Sequence, residues 1–168
     1  YRKGLGMEDK TILVIEDDPL NMELVKAVLS IDNYHVIEAS DAHAGIELCR
    51  RHKPDLVLMD IQLPDMDGLT ATRIIKEDEL LKDVAVVALS AYAMEEDVQE
   101  AFNAGCSGYI TKPFKIVDFL EQIKKYIELL KTQDADNYNK SRTWLDDHRF
   151  YLNKEECSIV NKEIGRIE

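Results

Sequence analysis

The stretch that decides the fold is TILVIEDDP at residues 11–19, where an apolar run ends in three consecutive acids and a proline. The run is β-branched and aliphatic without alternation, which is typical of a strand buried on both faces. Pro19 suits the first turn of a helix. Apolar residues then follow at helical spacing, at Leu20, Leu24, Val25, Val28 and Leu29. The stretch therefore predicts a strand, an acidic loop and a helix.

The same alternation of strand and helix continues to residue 131. Further short apolar runs predict strands at residues 34–37, 56–59, 84–89 and 109–111. Between them, Asp41 can cap a helix and Gly105 can end one. A clear amphipathic stripe follows the last strand, at Ile116, Phe119, Leu120, Ile123, Ile127 and Leu130. This order predicts an open, largely parallel α/β sheet, doubly wound with helices on both faces.

Composition narrows the class of protein. The chain has 168 residues, 45% apolar and 32% charged, which is enough for one hydrophobic core. Its 33 acidic and 21 basic residues give a net charge of −12, which disfavours nucleic acids and anionic membranes as partners. No apolar run approaches the roughly 20 residues of a membrane span. Three widely spaced cysteines predict reduced thiols and a cytoplasmic protein.

The domain organisation is predicted from the ends of this pattern. Residues 1–9 are expected to be a tag or a disordered lead, and residues 10–131 the α/β domain. The polar residues 132–143 suggest a linker. Residues 144–168 are expected to form a helical tail of unknown role, because apolar residues recur at spacings of 3, 4 and 3, at Cys157, Val160, Ile164 and Ile167. The apolar face of that tail must pack on the first domain, on a partner or on another copy.

Residues with chemical function collect at the carboxyl ends of the predicted strands, where sheets of this kind place their sites. They are Glu16, Asp17 and Asp18 after the first strand, Asp60 after the third, Ser90 after the fourth and Lys112 after the fifth. Crowded carboxylates must take up a proton or share a cation, and an all-oxygen site suits Mg²⁺. Lys112 adds a positive charge that a metal does not need but a transferred phosphoryl group does.

Four segments together resemble the receiver domain of two-component response regulators. They are the acidic pair within ILVIEDDP, then LVLMDIQLPDMDG, ALSA and GYITKPF, in order within residues 11–131. The resemblance implies a flavodoxin-like fold with five parallel strands in the order 2-1-3-4-5. Within the family, MDIQLP, ALSAYAM and KEDEL are most similar to single-domain DivK-type regulators and to receivers fused to hybrid kinases.

The resemblance implies a role for each matching residue of the acidic edge. Asp60 would accept the phosphoryl group, and Lys112 would pair with Asp60 or with its phosphoryl oxygens. Mg²⁺ would be bound directly by Asp17, through water by Glu16, and also by Asp60 and the backbone carbonyl of Gln62. Asp18 lies at a position that varies in the family, and we expect it only to line the site.

The resemblance also implies a switch and its partners. Ser90 would hydrogen-bond the phosphoryl group, and Tyr109 would turn inward when Ser90 moves. The donor would be the phosphohistidine of a sensor histidine kinase or a phosphotransfer protein. The output would be a downstream protein, with homodimerisation on activation left open. Such a chain is no enzyme towards other substrates, because it catalyses only its own phosphorylation and dephosphorylation.

Other functions remain open at this point. A small α/β phosphatase or phosphotransferase would need an added acid or base near the nucleophile, where this sequence has Gln62. The chain could equally be a receiver module truncated from a larger hybrid kinase or multidomain regulator. A degenerate receiver used only for binding is disfavoured because the full set is intact: Glu16, Asp17, Asp60, Ser90 and Lys112.

Overall fold

A computed structural model describes residues 10–131, and strands and helices alternate strictly along them. The elements are β1 (Thr11–Ile15), α1 (Pro19–Ile31), β2 (His35–Ala39), α2 (Ala42–His52), β3 (Leu56–Asp60), α3 (Gly68–Glu77), β4 (Ala85–Ser90), α4 (Glu95–Ala104), β5 (Gly108–Thr111) and α5 (Ile116–Lys131). The predicted α/β alternation is confirmed. The expected lead at residues 1–9, the linker at 132–143 and the tail at 144–168 lie outside the described residues.

The five strands form one parallel sheet in the order β2-β1-β3-β4-β5, which confirms the predicted order. The chain leaves β1 to one side for β2 and then crosses to the other side for β3. Strand order thus reverses between β1 and β3, the position where such sheets carry their sites. The register pairs Ile15 with Met59 and Asp60 with Leu89, so Glu16, Asp60 and Ser90 reach the same edge.

Strands β1, β3, β4 and β5 are almost entirely buried on both faces, as their unbroken apolar runs predict, whereas the edge strand β2 is partly exposed. Alternate residues of β1 and β3 point to opposite sides of the sheet because the side-chain period of a strand is two. One face packs on α1 and α5 through Ile12, Val14, Leu56 and Leu58, with Val25, Phe119 and Ile123. The other packs on α2, α3 and α4 through Leu13, Ile15, Val57 and Met59, with Ile46, Ile75 and Val98.

Strand β2 differs from its predicted bounds of 34–37. Tyr34 belongs to the turn that ends α1, because its N–H donates to the carbonyl of Leu29 at 3.4 Å and its side chain is buried. Pairing with β1 instead runs from His35 to Ala39, which lies opposite Ile15. The strand is therefore shifted by the geometry of the helix end.

Carboxylates from the loops cap three of the helices. Asp18 accepts the N–H groups of Leu20 and Asn21 at the start of α1. Asp41 does the same for α2 and Asp67 for α3. These caps satisfy backbone donors that a helix start would leave unpaired. Several of the acids near the strand ends are therefore structural, and only a subset is left for chemistry.

Candidate functional site

Three carboxylates from β1 and β3 meet at the reversal point. One ligand oxygen from each of Glu16, Asp17 and Asp60 lies within 4.8 Å of the others. Glu16 and Asp60 are almost fully buried, with 2% and 5% exposed, whereas Asp17 is open to solvent. The predicted acidic edge is thus a cluster of two buried acids and one accessible acid.

Lys112, the first residue after β5, supplies the opposing charge. Its Nζ lies 2.6 Å from Glu16 Oε2 and 3.3 Å from Asp60 Oδ2. Three carboxylates against one ammonium leave a formal charge of −3 + 1 = −2 at this edge. A divalent cation would balance that charge.

Asp60 holds its proton more tightly than an ordinary aspartate. The pKa of Asp60 is raised from 3.8 to about 6, mainly by burial and also by a hydrogen bond with Glu16. Two contacts lower this pKa. One is the charge of Lys112, and the other is the N–H of Gln62, which donates to Asp60 Oδ1 at 2.9 Å. Asp60 is therefore ionised at neutral pH, but in an environment that disfavours its charge.

The donor set fits a hard cation such as Mg²⁺, which takes oxygen ligands and uses few carboxylates. Both oxygens of Glu16 are already engaged, Oε1 by the N–H of Asp18 at 3.1 Å and Oε2 by Lys112. Asp17 is exposed to solvent and is therefore better placed for direct coordination than Glu16. Of the residues expected to hold the metal, Glu16, Asp17 and Asp60 lie together in this cluster, and the role of the Gln62 carbonyl stays a prediction.

Ser90 ends β4 beside the acidic cluster and is 2% exposed. Its Oγ accepts the N–H of Tyr92 at 3.1 Å. The Tyr92 hydroxyl accepts a hydrogen bond from Gln62 Nε2 at 2.8 Å. Sequence reasoning missed Tyr92. A signal was present, because Tyr92 follows Ser90 by the same two positions by which Gln62 follows Asp60.

Tyr109 lies inward on β5, with 5% of its surface exposed. Its hydroxyl donates to the backbone carbonyl of Tyr92 at 2.6 Å. The two residues expected to form a switch, Ser90 and Tyr109, are thus connected through one residue of the β4–α4 loop.

Two other groups of acids do not join the site. Asp18 is occupied as the cap of α1. Asp65 reaches from the β3–α3 loop to α2, where its oxygens accept the N–H groups of Ala42 and His43 at 3.0 Å and contact His43 Nδ1. Partial desolvation opposes the effect, but these donors hold the pKa of Asp65 well below its ordinary value. The cluster of Asp41, His43 and Asp65 therefore stabilises the start of α2 and ties it to that loop.

Comparisons with known proteins agree on this architecture. A family model described as the response regulator receiver domain matches residues 12–124. The polar-differentiation response regulator DivK of Brucella anthropi is 38% identical over 118 residues, covering 70% of this chain and 96% of that relative. DivK of Brucella ovis is 39% identical over the same length.

Solved structures are similar in fold as well. The receiver domain of the sensor histidine kinase PA1611 from Pseudomonas aeruginosa PAO1 has a magnesium ion coordinated in its active-site cleft. It is 32% identical, with a TM-score of 0.67 over 71% of this chain and 98% of that one. A CheY-like receiver domain protein from Methanospirillum hungatei JF-1 is 30% identical, with a TM-score of 0.69 over 74% of this chain and 98% of that one.

Proposed function

Because this chain belongs to the response regulator receiver domain family of two-component signalling, we propose that Asp60 is its phosphoacceptor. The observation that carries the proposal is the position of Asp60, buried at the end of β3 between Lys112 and the acid pair. An Asp60 oxygen attacks phosphorus in line. The bond from phosphorus to the donor histidine nitrogen breaks, and the product is an acyl phosphate.

The neighbouring residues prepare the site for a dianionic group. Lys112 lies between Glu16 and Asp60, where its ammonium can turn to the incoming phosphoryl oxygens. Mg²⁺ would be held by Asp17 and Asp60, by Glu16 through water, and by the backbone carbonyl of Gln62. When bound, it supplies charge neutralisation for the phosphoryl oxygens. The protein's own residues provide the nucleophile and one fixed positive charge.

Ser90 and Tyr109 form the switch in this proposal. The Ser90 hydroxyl accepts the N–H of Tyr92, so its own proton can be donated to a phosphoryl oxygen. A shift of Ser90 then moves Tyr92, whose carbonyl holds the hydroxyl of Tyr109. A local charge at Asp60 thereby biases the β4–α4 loop and the β5 aromatic.

The partners follow from this chemistry. A sensor histidine kinase or a phosphotransfer protein donates the phosphoryl group, and a downstream protein reads the switched face, with homodimerisation as one form of output. A net charge of −12 argues against nucleic acid. None of the helices within residues 10–131 has both the length and the apolar character needed to cross a membrane. We place the protein in the cytoplasm because Cys49 and Cys106 are free thiols.

The units of the chain are assigned in the same way. Residues 10–131 act as the receiver, residues 1–9 as a lead segment and residues 132–143 as a linker to the tail at 144–168. The chain acts on no external substrate. A phosphatase would need an acid or base two positions after the nucleophile, where Gln62 instead bonds to Tyr92.

The test is labelling by acetyl phosphate with Mg²⁺, followed by intact mass and by cleavage of the acyl phosphate with hydroxylamine. The parent chain should gain one phosphoryl group and Asp60→Asn none. Asp83→Asn makes the same chemical change on an exposed loop and should label like the parent. Labelling that survives in Asp60→Asn at another residue would overturn the assignment.

A further inference from the structure

Helix α1 carries a second apolar row that faces away from the sheet. Its inner side is buried in the core at Met22, Val25, Val28 and Leu29. Four other apolar residues of the same helix are exposed: Leu20, Leu24, Ala27 and Ile31. Leu20 is 81% exposed and Ile31 58%. We call these four exposed residues the outer stripe.

The spacing of the outer stripe is that of a helix-packing surface. Single exposed apolar residues are common on proteins and need no explanation. These four recur at intervals of 4, 3 and 4 residues, the intervals with which one helix packs along another. They lie within about 60° of the helix circumference and extend over about 16 Å. The outer stripe therefore fits one helix of about three turns.

The chain contains a segment whose apolar residues match this surface. Cys157, Val160, Ile164 and Ile167 recur at intervals of 3, 4 and 3 residues, which predicts an amphipathic helix. The segment lies outside the described residues. As a helix it would extend its apolar row over about 15 Å, nearly the length of the outer stripe. Four apolar residues of the segment can thus lie opposite four of α1.

The connection between the two surfaces allows this contact. Helices α1 and α5 pack on the same face of the sheet. Each follows the carboxyl end of a strand, so both run back to the amino edge, where Ile31 and Lys131 end them. The 25 residues at 132–156 then separate α5 from the segment. Fully extended, they reach about 80 Å, far more than the distance between neighbouring helices.

A tethered segment suits the outer stripe better than a free partner does. Four side chains are few beside the roughly 20–30 residues a side of a standard protein–protein interface, so a second copy in solution would bind weakly. A segment on the same chain is present at an effective concentration of up to about millimolar. A small apolar contact is then sufficient.

We propose that residues 157–167 dock on the outer stripe as a helix antiparallel to α1. Cys157 then lies opposite Ile31, at the edge where α5 ends, and Ile167 lies opposite Leu20. This arrangement covers an apolar surface of α1 that the rest of the receiver leaves exposed.

Charge favours the antiparallel orientation. Asp17 and Asp18 are exposed just before the Leu20 end of the outer stripe. Residues 154–156, at the start of the segment, have a net charge of −1, whereas residues 161–168 carry two basic and two acidic side chains and are balanced. Antiparallel packing keeps the acidic start away from Asp17 and Asp18. It also places the positive end of one helix dipole beside the negative end of the other.

Cys157 makes the arrangement measurable. The other two cysteines, Cys49 and Cys106, are buried, so a cysteine introduced at the surface pairs with Cys157. The full chain carrying Ile31→Cys is incubated with oxidised glutathione. Disulfide formation within one chain is followed by the loss of two hydrogens in intact mass and by peptide mapping.

Two further cysteine variants serve as references. Leu20→Cys reports on the other end of the outer stripe. Leu80→Cys is the matched control, because Leu80 is also an exposed apolar residue, by 72%, but lies between α3 and β4, away from α1. Ile31→Cys should form its disulfide at least about tenfold faster than either reference, because docking holds the two thiols close together.

A pair of substitutions in the segment tests its apolar row. Ile164→Asp, added to Ile31→Cys, should remove most of the rate advantage, because it places a charge in an apolar contact. Ile159→Asp is the control, since Ile159 lies outside the apolar row and on another side of the predicted helix. It should leave the rate within about twofold.

Several outcomes would overturn the proposal. Equal rates for Ile31→Cys and Leu80→Cys would mean that the segment is not docked on α1. A faster disulfide with Leu20→Cys than with Ile31→Cys would contradict the orientation. Disulfides formed only between two chains would assign the outer stripe to a second copy. A rate unaffected by Ile164→Asp would exclude the apolar row as the contact.

Hydrogen exchange keeps the proposal testable without an introduced cysteine. Amides of α1 should exchange faster in Ile164→Asp than in the parent chain, because the helix loses its cover, while Ile159→Asp should match the parent. The same exchange of α1 in all three proteins would contradict docking on this helix.

Discussion

Replacing Asp60 by Asn should make the metal-free protein more stable at neutral pH, although it removes the proposed nucleophile. Asp60 is 5% exposed, and burial raises its pKa from 3.8 to about 6 even though Lys112 lies 3.3 Å away. The folded state therefore favours the protonated, neutral form. Asparagine is neutral at every pH and has nearly the same shape, so it avoids the cost of a buried charge.

The size of the effect follows from the two pKa values. The folded protein keeps the Asp60 proton to a higher pH than the unfolded chain, so the parent loses stability as pH rises from about 4 to about 7. Above that range the full difference, from 3.8 to about 6, corresponds to ~3 kcal/mol of unfolding free energy. At pH 4.5 the same two pKa values predict that the unfolding free energies of Asp60→Asn and the parent differ by only ~1 kcal/mol.

The assay is urea denaturation followed by far-ultraviolet circular dichroism, with a chelator present, at pH 8 and at pH 4.5. Asp60→Asn should exceed the parent by ~3 kcal/mol at the higher pH and by ~1 kcal/mol at the lower. Asp83→Asn, on the exposed loop before β4, should stay within about 0.5 kcal/mol of the parent at both. Added Mg²⁺ should stabilise the parent more than Asp60→Asn and narrow the gap.

Two results would refute this reasoning. One is an Asp60→Asn variant that is no more stable than the parent at pH 8. The other is a gap that does not shrink as pH falls, because only a titrating carboxylate makes the difference depend on pH.

Three further predictions concern the residues around Asp60. Lys112→Ala should lower the unfolding free energy by ~3 kcal/mol, because it leaves Glu16 and Asp60 buried without their cation. The variant should still bind Mg²⁺ in calorimetry but lose the conformational response to phosphorylation. An unchanged response would remove Lys112 from the switch. Asp17→Asn should weaken Mg²⁺ binding and leave stability within about 0.5 kcal/mol, since Asp17 is exposed; unchanged affinity would exclude Asp17 as a ligand. Gly68→Ala should lower stability by ~1–3 kcal/mol and slow labelling, because the added Cβ would lie 2.2 Å from the Asp60 carbonyl oxygen; a variant that folds and labels like the parent would contradict this.

Much of the fold and the identity of the clustered residues could be predicted from the sequence. Apolar runs that end in Glu16 and Asp60 mark both the strands and the edge where they meet, because parallel strands share one carboxyl edge. The strand order came from the family resemblance, since periodicity alone does not distinguish one parallel order from another. The start of β2 was misplaced because Tyr34 is held by the end of α1, a contact that no local pattern records.

The finer features of the site depend on three-dimensional placement. The bond between Gln62 and Tyr92 joins residues 30 positions apart, and its formation depends on the shapes of two loops. The raised pKa of Asp60 depends first on burial, which a sequence does not specify. The role of Asp65 also depends on three-dimensional placement, because it lies in the β3–α3 loop but caps α2.

The attachment of Asp65 to α2 gives the site a direction. The β3–α3 loop, which follows Asp60, is fastened to α2 by Asp65, and the Gly68 N–H at its end donates to the carbonyl of Ile61 at 2.8 Å. This loop is therefore held in place on its α2 side when charge is added at Asp60. If Asp60 gains a phosphoryl group, we expect the displacement on the other side of the site, in the β4–α4 loop, where the exposed Tyr92 precedes α4. In hydrogen-exchange terms, the α2 side should remain protected on phosphorylation while the β4–α4 side changes its protection, so that the molecule signals towards one flank.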